Sequence, residues 1–248
     1  MKKNNVLFII IVLCNSLLGA INDDLDFYKQ MLLTRGLGIE EDVKKILHLL
    51  AYSKNDLAYG ASGFAAGYHS IKLGEDYLQG QRDPVKRLQC VPYDFNDKTV
   101  LDIGTNLGGM LFAIADKIKY GVGIDINSKM INVANRLKAY LGHESKLNFY
   151  VFDLESEDLN IIHDFLPGKK VDICFLLSVC MWIKNWREVI DYAHKISNTL
   201  LFESNGSKKG QLMQIGYLKS KYKNVHLIKD KSDDDPIQKN RGLYLCYD

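Results

Sequence analysis

The sequence has little proline, few cysteines and almost no net charge. Only four of its 248 residues are proline, and its five cysteines include no CxxC pair and no grouping with histidine at zinc-ligand spacing. Its 32 lysines and arginines nearly balance 30 aspartates and glutamates, which leaves a formal net charge of +2. A dedicated nucleic-acid-binding protein usually has a larger or more clustered excess of positive charge. The composition therefore excludes a collagen and a disulfide framework, and it favours a small or neutral partner.

Long apolar runs are also scarce, and the one clear example lies at the N-terminus. Lys2 and Lys3 precede an apolar stretch over residues 6–21, with the small residue Ala20 near its end. The stretch is shorter than the roughly 20 residues that a transmembrane helix needs, and its layout is typical of a secretory signal. We therefore expect residues 1–20 to be a signal peptide or membrane anchor, and the protein to be exported or membrane-associated. A cytoplasmic protein is the alternative.

Residues 21–94 are expected to form a helical and irregular cap before the main domain. The spacing of apolar residues predicts helices over 23–34 and 40–52, and Pro84 suits the first turn of a further short helix. The second helix has one apolar stripe, which consists of Val43, Ile46, Leu47 and Leu50. Residues 55–82 are rich in glycine, alanine and tyrosine without a clear period, so we expect irregular structure there.

From Lys98 onward, apolar strands alternate with helices. Strands that are apolar nearly throughout, each followed by a helix, predict a doubly wound parallel sheet with both faces covered. The predicted strands are 99–103, 120–125, 147–152, 171–177, 199–203, 224–228 and 242–247. The predicted helices between them are 107–118, 128–141, 156–165, 186–197 and 210–222. No helix separates the last two, so they are expected to pair antiparallel at one edge. The charged stretch 229–235 between them is expected to be a solvated loop.

Acidic residues stand at the ends of the first three predicted strands. Asp102 precedes a tight turn with Gly104 and Gly108, Asp125 ends the second strand, and Asp153 follows the third. Glycine in such a turn lets backbone N–H groups approach a ligand at the positive end of a helix. The carboxyl ends of parallel strands meet at one edge of the sheet, where open α/β sheets bind ligands. We therefore expect the three acids to converge on one ligand site.

In these motifs the chain resembles the class I S-adenosylmethionine-dependent methyltransferases, over residues 95–248. Asp102-x-Gly104-x-Asn106-x-Gly108 is similar to the first motif of that family, Asp125 to its ribose-binding acid, Phe152-Asp153 to its adenine-contacting motif and Leu177-Ser178-Val179 to the segment after its fourth strand. The resemblance implies a Rossmann-like, seven-stranded, mostly parallel sheet with an antiparallel last strand, and S-adenosyl-L-methionine as the cofactor. It also implies these cofactor-binding residues: Asp102, Gly104, Thr105, Asn106, Gly108, Asp125, Ile126, Asp153, Leu154 and Ser178.

Two alternatives depend on the glycine turn. Gly104-x-Asn106-x-x-Gly109 also resembles a degraded GxGxxG motif, which leaves an NAD-dependent oxidoreductase open. Asp102 argues against it, because a carboxylate before the turn would lie close to a diphosphate. Asn106 stands where the methyltransferase motif has glycine, which leaves a catalytically inactive cofactor-binding protein open. Asparagine adopts the left-handed backbone conformation more readily than most residues, so the turn can survive.

The resemblance implies in-line methyl transfer, in which the protein supplies alignment, and a general base only if the nucleophile arrives protonated. No Asp/Asn-Pro-Pro-Tyr run follows the fourth strand, so amino groups of DNA bases are not expected substrates. We expect a small-molecule acceptor, with RNA or protein as the alternative, and no metal. The candidate bases are Glu203, at the end of the fifth strand, and His69. The candidate substrate contacts are Tyr68, Arg82, Met181 and Trp182.

Overall fold

The structure is a computed structural model that describes residues 41–54, 61, 63–74, 76–232 and 234–248. The predicted signal or anchor at 1–20 and the helix predicted at 23–34 lie outside these residues. The strands are β1 Ile71–Leu73, β2 Asp76–Leu78, β3 Thr99–Ile103, β4 Tyr120–Asp125, β5 Leu147–Val151, β6 Ile173–Leu177, β7 Thr199–Glu203, β8 Asn224–Lys229 and β9 Leu243–Tyr247. The helices are α1 Glu41–Lys54, α2 Pro84–Gln89, α3 Gly109–Phe112, α4 Ser128–Tyr140, α5 Ile162–Phe165, α6 Trp186–Ile196 and α7 Lys208–Lys221.

Seven of the strands form one mixed sheet in the order β5-β4-β3-β6-β7-β9-β8. β3 pairs in parallel with both β4 and β6, and β9 pairs antiparallel with both β7 and β8. The predicted doubly wound sheet with a reversed last strand is therefore confirmed. The antiparallel pairing of the last two strands is also confirmed, with β9 inserted between β7 and β8.

Apolar strand residues fill both faces of the sheet. All five residues of β6 are buried, and so are the last four residues of β3. Neighbouring residues in these strands contribute to two separate core clusters, with Leu101 and Ile103 in one and Val100 and Phe175 in the other. Burial on both faces explains why these strands are apolar nearly throughout rather than alternating.

A third core cluster joins the N-terminal elements to the sheet domain. The predicted apolar stripe of α1 is buried, and it packs with Met130, Val133 and Leu137 of α4. Ile71 and Leu73 of β1 belong to the same cluster. The expectation of irregular structure over 55–82 was wrong for 71–78, where β1 and β2 form an antiparallel hairpin. Strands of three residues are too short to show a period in the sequence.

Two helices are shorter than the sequence predicts. The helix expected over 107–118 is limited to α3, after which the N–H groups of Ile114 and Lys117 bond three residues back and tighten the chain into turns. The helix expected over 156–165 is a 3₁₀ turn at Leu159–Ile161 followed by α5. No helix among the described residues is long and apolar enough to cross a membrane.

Candidate functional site

The turn between β3 and α3 depends on left-handed backbone at three positions. Gly104, Asn106 and Gly108 have φ values of 78°, 54° and 77°. A Cβ at Gly104 would lie 2.4 Å from Cγ2 of Val179, so this position requires glycine for space as well as for conformation. Asn106 takes the left-handed conformation that the glycine of the family motif would take, and its Oδ1 accepts the N–H of Leu107.

Asp125 connects the end of β4 to this turn. Its Oδ2 accepts the backbone N–H of Asn106 and its Oδ1 that of Asn127, both at 2.9 Å. Burial raises the pKa of the Asp125 carboxyl, and the two backbone hydrogen bonds oppose that shift. Each carboxylate oxygen retains a second lone pair that can accept a hydroxyl.

The other two strand-end acids have different surroundings. Asp102 is buried beneath the turn, where its Oδ2 accepts the hydroxyl of Thr105 at 2.7 Å, and burial raises its pKa to about 7. Asp153 accepts the N–H of Glu155 and the hydroxyl of Ser156, and these hydrogen bonds lower its pKa. Asp102 therefore supports the turn, whereas Asp153 shapes the loop after β5.

A cleft of about 320 Å³ opens along the carboxyl ends of the strands. Its lining comes from the ends of β3, β4, β5 and β6 together with one residue from before the sheet. The lining residues are Tyr68, Gly104, Asn106, Ile124, Asp125, Ile126, Phe152, Asp153, Leu154, Glu155, Leu177, Ser178, Val179, Trp182 and Ile183. The volume falls within the range of about 300–1,000 Å³ that is typical of small-molecule sites.

Most of the predicted cofactor residues line this cleft. The exceptions are Asp102, Thr105 and Gly108, which lie in or below the turn. Of the predicted substrate contacts, Tyr68 and Trp182 line the cleft as well. Sequence reasoning missed Ile124, Glu155 and Ile183 as site residues, although each is the chain neighbour of a position that it selected.

A second groove of about 350 Å³ lies beside the cleft, and the two share Ile183. It is formed by the segments after β6 and β7 and by the start of α7, and it contains Met181, one of the predicted substrate contacts. Met181 and Met213 are half exposed on its walls. Its polar members Asn205 and Gln214 hydrogen-bond to each other through side chain and backbone, and Lys184 and Ser207 add further polar groups to its lining.

Glu203 lies in a buried cluster of charges instead of facing the cleft. Its two oxygens accept from Nη1 and Nη2 of Arg82 at 3.2 and 2.8 Å, and Nη2 of Arg87 lies 2.7 Å away. The hydroxyl of Ser178 also donates to it. Although burial raises the pKa of Glu203, these arginines outweigh it and hold the pKa at about 2. Such a carboxylate is a poor proton acceptor, so the structure does not support Glu203 as the general base.

Arg82 is fully buried, and carboxylates occupy its guanidinium. Besides Glu203, it binds Asp234 with Nε at 2.7 Å and Nη2 at 3.1 Å. Asp235 is buried as well and accepts from the side chain of Gln81 at 3.1 Å. The prediction of a solvated loop over 229–235 was therefore wrong at Asp234 and Asp235, and Arg82 is not free to bind a substrate. A buried charge is destabilising unless it is paired. Here the carboxylates of Glu203, Asp234 and Asp235 pair with the guanidinium group of Arg82.

His69 is buried against the start of α3 and does not line the cleft. A Cβ at Gly109 would lie 2.6 Å from its Cγ, and among the described residues neither ring nitrogen has a hydrogen-bond partner. Burial, with Arg87 and Arg82 nearby, lowers its pKa to about 3. The ring is therefore neutral and weakly basic, which does not support His69 as the general base. The described residues also hold no group of three or more histidine, cysteine, aspartate or glutamate side chains that could bind a metal ion.

Comparison with known proteins identifies the type of domain. A family model described as a methyltransferase domain matches residues 101–198, which contain the turn, Asp125, Asp153 and Ser178. No curated protein matches the chain.

Several solved structures share the fold at low sequence identity. The N-terminal domain of EvdMO1 with S-adenosylhomocysteine bound has a TM-score of 0.53 at 10% identity, covering 71% of this chain and 82% of that chain. The same domain, solved in the presence of S-adenosylhomocysteine and D-fucose, has a TM-score of 0.59 at 8% identity, with coverages of 84% and 97%. The bifunctional kinase-methyltransferase WbdD has a TM-score of 0.54 at 16% identity, and the match spans 80% of this chain but 46% of WbdD.

Proposed function

We propose that the chain, whose residues 101–198 match a methyltransferase domain, transfers the methyl group of S-adenosylmethionine to a nucleophile on a small molecule. The observation that carries the proposal is the cleft, in which the turn at 104–106, Asp125 and the apolar walls after β4 and β5 lie on one continuous surface.

The residues of the cleft fit a nucleoside linked to an amino acid. The free lone pairs of Asp125 suit the two ribose hydroxyls, and Ile126, Phe152 and Leu154 provide apolar surface for a purine beside Asp153. Ile126 is 56% exposed, which leaves its side chain available to a ligand. The left-handed turn at Gly104 and Asn106 allows close approach of the remainder of the ligand.

When bound, the cofactor supplies an electrophilic methyl group on a sulfonium. The chain itself contributes alignment and exclusion of water, since methyl transfer needs the nucleophile in line with the breaking bond. Glu203 is held as a charged member of a buried cluster, and His69 is buried outside the cleft. We therefore propose an acceptor whose nucleophile needs no base from Glu203 or His69, such as one that is already deprotonated or that loses its proton to solvent.

The second groove is the proposed place for the acceptor. It adjoins the cleft at Ile183, and its size suits a small molecule with both polar and apolar surface. Met181 and Met213 give it adaptable walls, because methionine is flexible and polarizable. The structure of the EvdMO1 domain in the presence of S-adenosylhomocysteine and D-fucose supports a small molecule over RNA or protein.

A labelling experiment tests the proposed acceptor class. The purified protein is incubated with methyl-labelled S-adenosylmethionine and a cell extract divided into small molecules, RNA and protein. We expect label in the small-molecule fraction, and much less of it with the Asp125→Ala variant at the same cofactor concentration. Label in RNA or protein would instead support the alternative acceptor classes, and cofactor binding without label in any fraction would support a cofactor-binding protein without turnover.

A further inference from the structure

The hydroxyl group of Tyr68 accepts two hydrogen bonds from arginines. Nη1 of Arg82 donates from 3.4 Å and Nη1 of Arg241 from 3.3 Å. A phenol oxygen has two lone pairs and one O–H, while arginine can only donate. Both lone pairs of Tyr68 are therefore used, and its O–H remains as a donor. Among the described residues no group accepts from this O–H, and Tyr68 lines the cleft.

The surroundings of Tyr68 hold its side chain in a fixed position. Its backbone carbonyl accepts the N–H of Arg82 at 2.8 Å, and its ring lies 4.9 Å from that of His69. Both arginines are themselves buried, at 0% and 7% exposure. Arg82 is fixed further by Glu203 and by Asp234. The Tyr68 hydroxyl, which has no acceptor among the described residues, is therefore held in a fixed position in the cleft wall.

Tyr68 belongs to the end of the cleft opposite Asp153. Nη1 of Arg241 donates both to the Tyr68 hydroxyl and to Oγ of Ser178, the residue after β6, at 3.3 and 3.2 Å. Asp153 follows β5, which lies three strands away from β6 in the sheet. Three strand spacings correspond to about 14 Å. If the purine lies beside Asp153 and the ribose at Asp125, the amino acid part of the cofactor points toward Tyr68 and Ser178.

We propose that the Tyr68 hydroxyl, oriented by Arg82 and Arg241, binds the carboxylate of the amino acid part of the cofactor. This inference rests on the proposed function. An O–H whose oxygen accepts from two guanidinium groups is polarised toward donation, and an anionic oxygen is its strongest partner. The other source of such an oxygen is the methyl acceptor, and the experiment distinguishes the two.

Calorimetry with two ligands tests the proposal through binding alone. S-adenosylhomocysteine contains the carboxylate, whereas its decarboxylated analogue, S-adenosyl-3-thiopropylamine, retains the adenosine, sulfur and amine. Tyr68→Phe should weaken S-adenosylhomocysteine by about tenfold to hundredfold, the usual effect of losing a hydrogen bond to a charged group. Binding of the decarboxylated analogue should not change. Tyr77→Phe is the matched control, since Tyr77 is exposed in the neighbouring β2 and does not line the cleft.

Three other results would overturn the proposal, and each has a different meaning. Unchanged binding of S-adenosylhomocysteine by Tyr68→Phe would leave the methyl acceptor as the partner of the hydroxyl. An equal loss for both ligands would mean that Tyr68 acts on the shape or folding of the cleft and not on the carboxylate. If the unaltered protein bound neither ligand, the proposed function itself would fail.

Discussion

The carboxylate of Asp125 accepts the backbone N–H of Asn106 at 2.9 Å, so the acid that ends β4 also holds the turn that follows β3. Two motifs 19 residues apart are thereby one structural unit. A ligand that binds Asp125 therefore contacts a carboxylate whose position is fixed by the turn, and a change in either residue affects the other.

Replacement of Asn106 tests whether this position impairs the cofactor site. Asn106→Gly and Asn106→Ala both remove the side-chain oxygen that accepts the N–H of Leu107. Only alanine is strained by the left-handed backbone at this position, where φ is 54°. We expect the alanine variant to be less stable than the glycine variant by about 1–2 kcal/mol in denaturant unfolding. We expect Asn106→Gly to change S-adenosylhomocysteine affinity by less than about tenfold. A large gain in affinity would instead favour the cofactor-binding protein with impaired turnover.

The contact between Gly104 and Val179 should couple the turn to the segment after β6. Gly104→Ala places a Cβ 2.4 Å from Cγ2 of Val179, so we expect a loss of about 1–3 kcal/mol from overpacking in addition to the conformational cost. Gly142→Ala is the matched control, because its φ is 74° and nothing lies within 4 Å of the added Cβ. In the double variant with Val179→Ala, a favourable coupling of about 0.5–3 kcal/mol should appear. Strict additivity of the two changes would contradict the contact.

Glu203 should contribute to stability in a pH-dependent way. Its pKa falls from 4.5 to about 2 on folding, so its ionised form stabilises the folded state above pH 4.5 and this contribution is lost as the pH falls toward 2. Glu203→Gln should cost about 3–5 kcal/mol at neutral pH, since it leaves the buried arginines short of a counter-charge. In unfolding measurements, the difference from the unaltered protein should shrink between pH 4.5 and pH 2. A difference independent of pH would contradict this role, and the exposed Glu188→Gln serves as the control.

The sequence was sufficient to predict the sheet and the strand-end acids, but not the charge cluster. Strand and turn signals are local, because apolar runs, glycine and the acid beside them are consecutive in the chain. Arg82 and Glu203 are 121 residues apart, and Arg82 and Asp234 are 152 apart, so no spacing indicates their contact. A charged residue also looks the same in the sequence whether it is solvated or paired inside the protein. This is why the sequence alone makes Glu203 a candidate base and predicts a solvated loop near Asp235.

The N-terminal segment leads to a prediction about processing. We propose that residues 1–20 are an export signal or an anchor, supported by Lys2, Lys3, the short apolar core and Ala20. Intact mass spectrometry of the protein from its own cells should show a species that begins near Ile21, or a full-length species in the membrane fraction. A full-length species in the soluble cytosolic fraction would refute the proposal.

The central claim is that the cleft at Asp125 binds S-adenosylmethionine, and calorimetry with S-adenosylhomocysteine and NAD tests it most directly. We expect binding of S-adenosylhomocysteine and no binding of NAD. Asp125→Ala should weaken the affinity by about tenfold to hundredfold, because it removes hydrogen bonds from two ribose hydroxyls to a charged group. Asp116→Ala, on the turn before β4 and away from the cleft, is the matched control. Tight binding of NAD without any signal for S-adenosylhomocysteine would contradict the account.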